Sequence, residues 1–254
     1  MGVARPWVSV PVPAAGTGEP MVALPQSVAV WDPAPYAARG APYGAGGVPG
    51  PWFVRKSVAS RLEAAQEALG RERPGLRLKV FDAYRPLAVQ AFMVEATFEE
   101  LAGVPLAQAA EGVREETMGR VLAFWAPPSL DPATPPPHST GSAVDVTLVD
   151  ERGGEHAEVD MGSAVDELGD VALPDHFASA PAGSREAGFH ANRTLLRRVM
   201  RGAGFEGHPR EWWHFSHGDQ LWAWATGEKE ATYGRVERDP PALGGAAARP
   251  PGES

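Results

Sequence analysis

Two short stretches of this sequence carry side chains that could bind a metal ion. His138 and Asp145 lie seven positions apart, and Gly141 between them permits a tight turn. Far downstream, Glu211 and His214 lie three positions apart around two tryptophans. Imidazole and carboxylate groups are zinc ligands, and three protein ligands with a fourth position for water are typical of a catalytic zinc site. The residue types therefore predict a zinc site formed by His138, Asp145 and His214.

Glu211 is then free to act as a general base, since zinc lowers the pKa of bound water toward ~7 and a nearby carboxylate can take the proton. In an extended segment Glu211 and His214 would point to opposite faces, so we expect a bend, or Glu211 on the loop that enters the strand. Simpler interpretations exist: a loop histidine at His138, a buried carboxylate at Asp145, and an ion pair or helix-end contact between Glu211 and His214. The joint pattern is more specific than any one part.

The composition restricts the function further. The 254 residues include no cysteine, which excludes disulfides, thiolate zinc sites, iron–sulfur clusters and a cysteine nucleophile. The formal net charge of -9 argues against a nucleic-acid or anionic-membrane partner, because both require a positive field. There is no apolar run of about 18 residues and no secretory signal between Met1 and Pro25, so we expect a cytoplasmic protein. No motif in the sequence predicts the oligomeric state.

Hydrophobic periodicity predicts the elements that must position these residues. Three helices are predicted: one through Val54, Val58, Leu62, Ala65 and Leu69 with a cap at Gly70, one over Leu87–Leu101, and one with Leu195, Leu196, Val199 and Met200 that ends near Gly202 and Gly204. Three strands are predicted: one with Leu76, Leu78 and Val80, a central strand over Ala143–Val149, and a last core strand over Trp212–Phe215. Because helices and strands mix without regular βαβ spacing, the prediction is an α+β domain.

Pro- and Gly-rich stretches mark the expected boundaries. Residues 1–50 predict an extended arm packed on the domain, residues 51–234 hold the domain with the zinc site, and residues 235–254 predict a disordered tail. Two further insertions, residues 127–137 and 153–188, are either the rims of a functional site or simple surface excursions.

The pattern His-x-x-Gly-x-Ala-x-Asp at His138–Asp145, followed by Glu-x-Trp-His at Glu211–His214, resembles the zinc D,D-peptidases of the D-alanyl-D-alanine dipeptidase and carboxypeptidase group. The Glu-Trp-Trp-His form, with Gly218–Ala223 after it, looks closer to the dipeptidase branch, and the resemblance runs from about Val80 to Trp224. It implies a single α+β zinc peptidase domain, with a small, mostly antiparallel central sheet flanked by helices and the zinc site at the sheet. It also implies one zinc ion per chain and a small D,D-dipeptide substrate.

The same resemblance implies roles for two further residues. Arg85 lies in Phe81–Pro86, a segment similar to the one that presents an oxyanion-stabilising arginine in the family; the alternative is a surface salt bridge. Asp166 lies in Asp160–Asp166, similar to a segment whose acidic residue holds the substrate amino group; it could equally cap the next turn. Two positions before His138, where the family usually has a serine, stands Pro136.

Other functions remain open within this sequence. A D,D-carboxypeptidase or a cell-wall endopeptidase would use the same zinc site, and a non-catalytic zinc-binding module is the alternative of another class. Such a module would usually lose Glu211 or Arg85, and both are present, which favours the enzyme. The biological role of such an enzyme would be antibiotic resistance or the recycling of cell-wall fragments. Of the remaining histidines, His217 is predicted to lie at the rim of the site or in the core. Four others are predicted to be solvated or structural: His156, His176, His190 and His208.

Overall fold

A computed structural model of the protein describes residues 5–13, 19–44, 50–153 and 157–236. The strands are β1 Met21–Ala23, β2 Ala29–Val30, β3 Phe53–Arg55, β4 Leu76–Asp82, β5 Ala143–Asp150, β6 Ala157–Glu158, β7 Glu206–Gly207 and β8 His214–Ser216. The helices are α1 Pro35–Ala38, α2 Lys56–Glu72, α3 Leu87–Ala102, α4 Glu111–Val121, α5 Arg185–Gly202 and α6 Gln220–Thr226. None of the helices in these ranges is long and apolar enough to cross a membrane.

The central sheet has the strand order β2-β4-β5-β8-β7, with β6 pairing to the end of β5. Only the β2–β4 pair is parallel, and the other pairs are antiparallel. All residues of β5 from Ala143 to Val149 are buried, which is why this strand is apolar and β-branched rather than alternating. The predicted α+β domain with a mostly antiparallel sheet is confirmed, and so is the central strand.

The register of the sheet aligns three polar residues across neighbouring strands. Asp82 at the end of β4 lies opposite Asp145 on β5, after a register shift between Val80 and Asp82. Asp145 in turn lies opposite His214 on β8. Directly opposed residues project from the same face of a sheet, so Asp82, Asp145 and His214 form a row across β4, β5 and β8.

The predicted apolar stripe of α2 is confirmed, since Val58, Leu62, Ala65 and Leu69 are fully buried. Helix α2 packs against α5 on one face of the sheet. Two details of the prediction are wrong. Val54 lies in β3, and the helix passes through Gly70 and ends at Glu72, because Arg71 and Glu72 are both good helix formers.

Three other segments differ from the sequence prediction. Helix α4 was not predicted, because it buries only Thr117 and Val121 and has almost no apolar periodicity. Helix α6, capped by Asp219, was also not predicted. The last core strand begins at His214 rather than at Trp212, since the Trp212 amide donates to the carbonyl of Ala172 instead of a sheet partner.

The described parts of residues 1–50 lie against the domain. They include a 3-10 turn at Pro6–Ser9, strands β1 and β2, and the four-residue helix α1, which the expectation of an extended arm did not include. The predicted disordered tail, residues 235–254, lies outside the described residues from position 237 onward.

Candidate active site

The side chains of His138, Asp145 and His214 converge at the centre of the sheet. His138 lies in a buried 3-10 turn at Pro137–Thr140 that leads into β5. Its Nε2 lies 3.2 Å from Nδ1 of His214 and 3.3 Å from Oδ2 of Asp145. Nδ1 of His214 lies 3.1 Å from Oδ1 of Asp145. The structure thus brings together the three residues that the sequence predicts as metal ligands.

The spacing of these atoms fits a tetrahedral metal site. Ligand atoms at ~2.0–2.1 Å from a tetrahedral zinc ion lie about 3.3 Å from each other. The two imidazole nitrogens are 3.2 Å apart, and each has one of the two Asp145 oxygens at 3.1 or 3.3 Å. Imidazole nitrogen and carboxylate oxygen are suitable donors. The residues present therefore fit a single zinc ion bound by Nε2 of His138, Nδ1 of His214 and the carboxylate of Asp145.

Backbone contacts hold His138 in this position. Its Nδ1 donates to the carbonyl of Ala83 at 2.7 Å, which leaves Nε2 as the free lone pair for a metal ion. Gly141 ends the turn in the left-handed region, at φ 73°, and a Cβ there would lie 2.4 Å from Sδ of Met21. The expected tight turn at Gly141 is confirmed, and Gly141 is required both for its conformation and for its close packing.

The charges at the site stabilise an ionised Asp145. Burial raises its pKa, but the charges and hydrogen bonds of His138 and His214 outweigh burial and lower it. Burial alone would lower the pKa of His214. The hydrogen bond and charge of Asp145, followed by the charge of Glu211, outweigh burial and raise this pKa. A carboxylate that is already ionised needs no deprotonation before it binds a cation.

Glu211 lies on the loop before β8, one of the two positions that the sequence analysis allowed. Its Oε2 is 3.8 Å from Nδ1 of His214. Burial raises the pKa of Glu211 to about 7; the charge of His214 opposes this and that of Asp145 adds to it. A carboxyl group with a pKa near 7 is well matched to proton transfer at neutral pH.

Arg85 is buried at the edge of the metal-ligand cluster, with 4% of its surface exposed. Its Nε donates to Oδ2 of Asp82 at 2.8 Å and its Nη1 to Gln90 at 3.1 Å. Its Nη2 donates to the Tyr36 hydroxyl at 3.1 Å and to Asp145 at 3.3 Å. The alternative of a surface salt bridge is wrong, because both ion pairs of Arg85 are buried.

Asp166 reaches the same cluster from the insertion between β6 and α5. The Tyr36 hydroxyl donates to its Oδ2 at 2.6 Å, so its carboxylate binds a side chain of the site. Its backbone has φ 64°, a conformation that non-glycine residues adopt rarely and that is concentrated at functional sites. Burial, followed by the charge of Asp145, raises the pKa of Asp166 to about 7, although Arg85 and Tyr36 oppose the increase.

These residues border a cavity of about 630 Å³. Its walls include Arg85, His138, Asp145, Asp166, Glu211 and His214. Part of the 127–137 insertion lines it as well, which favours the rim over the surface excursion. A third contribution comes from the 3-10 turn near the N-terminus, through Trp7 and Val8, and from Arg5 just before it.

Sequence reasoning missed several residues of the site. Asp82 stands within the quoted segment Phe81–Pro86, and an aspartate that directly follows a predicted strand and precedes Arg85 by three positions was a usable signal. Tyr36 and Gln90 lie outside every quoted motif and had none. His208, interpreted from the sequence as solvated or structural, is partly buried and borders the cavity, with its Nδ1 3.6 Å from Oε1 of Glu211.

His217 lies in the core, as one of the two interpretations held. It is buried, its Nδ1 lies 2.8 Å from the Gly204 carbonyl, and its ring packs on Trp222. His217 therefore does not compete with His214 for the metal position. His156 falls outside the described residues.

A buried His-Asp-His cluster beside a buried glutamate, in the lining of a cavity in an α+β domain, is the arrangement expected of a metallopeptidase. The chain belongs to the D-ala-D-ala dipeptidase family of peptidases, Peptidase_M15, whose model matches residues 50–232. This family assignment and the metallopeptidase class agree with the resemblance found in the sequence.

Individual proteins also resemble this chain. A D-alanyl-D-alanine dipeptidase of Synechocystis sp. is 39% identical over 92% of this chain and 97% of its own length. The D-alanyl-D-alanine dipeptidase of Escherichia coli K12 is 33% identical over 56% of this chain and 55% of its own. That of Enterococcus faecium is 40% identical over 31% and 35%. The solved LD-carboxypeptidase LdcB shares 15% identity at a TM-score of 0.42, covering 86% of this chain and 78% of that one.

Proposed function

We propose that the protein hydrolyses the D-alanyl-D-alanine dipeptide with one zinc ion held by His138, Asp145 and His214. The observation that carries this proposal is the convergence of three ligand atoms within 4.8 Å of one another, with the Glu211 carboxylate 3.8 Å from His214. The names of the relatives support the choice of substrate.

When bound, zinc would supply Lewis acidity, which polarises a carbonyl and lowers the pKa of water toward ~7. Glu211 accepts a proton from the attacking water and delivers it to the leaving amine, a transfer suited to a group whose pKa is about 7. Arg85 faces the oxygen that becomes negative in the transition state. A fixed charge of this kind stabilises a transition state by ~3 kcal/mol.

Asp166 provides the anion that binds the free amino group of the substrate. Hydrogen bonds of 2.6, 3.1 and 3.3 Å connect Asp166 through Tyr36 and Arg85 to Asp145. An ammonium group held at Asp166 therefore lies a short distance from the metal ligands, and this supports cleavage of the first peptide bond of a substrate with a free N-terminus. A dipeptidase needs this arrangement, whereas a carboxypeptidase acting on long peptides has no use for an ammonium site.

The test compares D-Ala-D-Ala with N-acetyl-D-Ala-D-Ala, which lacks the ammonium group, and with longer peptides ending in D-Ala-D-Ala. We expect one zinc ion per chain and release of D-alanine from the free dipeptide alone. Preferred cleavage of the longer peptides would instead identify a D,D-carboxypeptidase or a cell-wall endopeptidase. Bound zinc without turnover of any of these peptides would identify a zinc-binding module.

A further inference from the structure

The N-terminal segment of residues 5–10 forms a fixed wall of the active-site cavity. The Trp7 ring is buried in edge contact with His208, with ring centroids 5.2 Å apart, and His208 contacts Glu211. On the other side, Nε2 of Gln220 donates to the carbonyl of Val10 at 2.7 Å. The segment is thus held on two sides, and residues that extend from it keep defined positions.

Arg5 begins this segment and is anchored through one of its terminal nitrogens. Its Nη2 donates to the carbonyls of Leu122, Phe124 and Trp125, at 3.0, 3.3 and 2.7 Å. Within the described part of the chain, its Nε and Nη1 make no hydrogen bond and Arg5 has no ion pair. Arg5 is half-buried and lines the cavity, and the N–H groups of Nε and Nη1 remain available as donors of charge-assisted hydrogen bonds to a carboxylate.

The two arginines of the cavity wall have different surroundings. Each nitrogen of Arg85 donates to a protein partner, which leaves one N–H of Nη1 for the oxyanion, and Arg85 lies beside Tyr36, the partner of Asp166. Arg5 lies two positions before Trp7, whose ring contacts His208, and Arg5 and Glu211 both line the cavity. Arg5 is therefore a positive group with available donors in the wall of the cavity that also contains the general base.

We propose that Arg5 binds the C-terminal carboxylate of the substrate and so makes the enzyme selective for peptides in which the leaving residue is the last one. This inference rests on the proposed function. Glu211 protonates the leaving amine, and the carboxylate of that amino acid is only one carbon atom further away. Pro135–Pro137 also line the cavity but have no backbone N–H or side-chain donor to offer, whereas Arg5 offers both a positive charge and available N–H groups.

The experiment measures kcat and KM of the zinc-loaded wild type and the Arg5→Gln variant on D-Ala-D-Ala and on its C-terminal amide. We expect Arg5→Gln to raise KM for the free acid by about 10-fold to 100-fold, the effect of losing a charged hydrogen-bond pair. The kcat for the acid and the KM for the amide should change less than about 3-fold. Arg5→Lys, which keeps the charge, should recover part of the preference for the acid.

Arg39→Gln is the matched control, because Arg39 is an exposed arginine paired with Glu100 on the surface. Equal losses on acid and amide would show that Arg5 only anchors the wall, and an unchanged acid-to-amide ratio would also overturn the proposal. A wild type that cleaves neither compound would refute the proposed function instead. In that case, carboxylate selection is tested by binding: the dissociation constants of the acid and the amide are measured for Glu211→Gln and for the double variant Glu211→Gln/Arg5→Gln. The same acid-to-amide ratio of dissociation constants in both proteins would refute the role of Arg5.

Discussion

Asp145 and His214 lie directly opposite each other on β5 and β8, with Oδ1 and Nδ1 3.1 Å apart. The pairing of two strands therefore places two of the predicted metal ligands together without any long loop. Asp82 continues the row on β4 and accepts the hydrogen bond of Arg85. A slip of one residue between these strands would turn His214 to the opposite face, so strand register and metal site are specified together.

His214→Ala should lose both zinc and activity. The remaining pair, His138 and Asp145, cannot complete a three-ligand site, and we expect zinc affinity to fall by at least about 100-fold. Zinc content after gel filtration and competition with a chelating dye measure this change. His176→Ala replaces an exposed histidine and should bind zinc like the wild type. Unchanged zinc content in His214→Ala would remove His214 from the ligand set.

Glu211→Gln should keep zinc and lose turnover. Gln cannot accept or return a proton, and the loss of general acid–base catalysis lowers kcat by about 100-fold to 10,000-fold. Zinc content and steady-state kinetics on D-Ala-D-Ala are measured on the same preparation. Glu228→Gln changes an exposed glutamate and serves as the control. Retention of normal kcat by Glu211→Gln would assign the base elsewhere.

Arg85→Lys should reduce kcat by about 100-fold with a small effect on KM. Lysine keeps the charge but cannot reproduce the planar set of hydrogen bonds to Asp82, Gln90 and Tyr36. The kinetics of D-Ala-D-Ala hydrolysis test this, with the exposed Arg39→Lys as the comparison. If KM rose while kcat stayed constant, Arg85 would bind the ground state and would not stabilise the oxyanion.

Asp166→Asn should alter the pH dependence of stability in the metal-free protein. Because the pKa of Asp166 is raised from 3.8 to about 7, the folded state binds its proton more tightly, and the contribution of the group to stability falls as pH rises toward 7. Asn cannot ionise. We therefore expect the free energy of unfolding of Asp166→Asn, relative to wild type, to increase by about 1–3 kcal/mol between pH 5 and pH 8.

Urea denaturation in the presence of a chelator measures this difference. Asp160→Asn is the control in the same segment: the hydrogen bond from the Gly162 amide, followed by that of Arg185, lowers the pKa of Asp160. Its stabilising contribution is complete above the unfolded pKa and is lost only as pH falls further, so the relative stability of Asp160→Asn should stay constant between pH 5 and pH 8. An equally flat profile for Asp166→Asn would contradict the raised pKa.

Gly141→Ala should destabilise the protein by about 1–3 kcal/mol and weaken zinc binding. The new Cβ would occupy a left-handed backbone position and lie 2.4 Å from Sδ of Met21, so the turn that carries His138 must shift. Gly112→Ala in α4 has open space around it and should be neutral or slightly stabilising. Equal stability of both variants in urea would show that the turn at Gly141 tolerates a side chain.

The sequence was sufficient for the parts of the molecule in which local pattern and burial agree. The apolar stripe of α2 and the apolar run of β5 consist of buried side chains, so the hydrophobic pattern of the sequence predicted both elements. The same holds for His138, Asp145 and His214, which lie in short segments with recognisable motifs. Their convergence follows from strand pairing, and the central strand was predicted.

Other parts depend on contacts between distant segments and leave no local signal. Tyr36 reaches Asp166 across 130 positions, and Arg5 reaches the carbonyl of Trp125 across 120. Helix α4 contributes only two buried residues, so its sequence lacks the apolar stripe by which a helix is recognised. Its conformation depends on its packing in the folded protein. Gly70 failed as a boundary because a single glycine costs a helix only about 1 kcal/mol.

The hydrogen bond between Gln220 and Val10 spans 210 positions and closes the cavity wall. During synthesis on a ribosome, the first β-strands and α2 emerge long before His214 and Gln220 do. A chain that stops before His214 lacks a metal ligand, and one that stops before Gln220 lacks this anchor of the wall. Products terminated before His214 are therefore expected to be inert toward dipeptides.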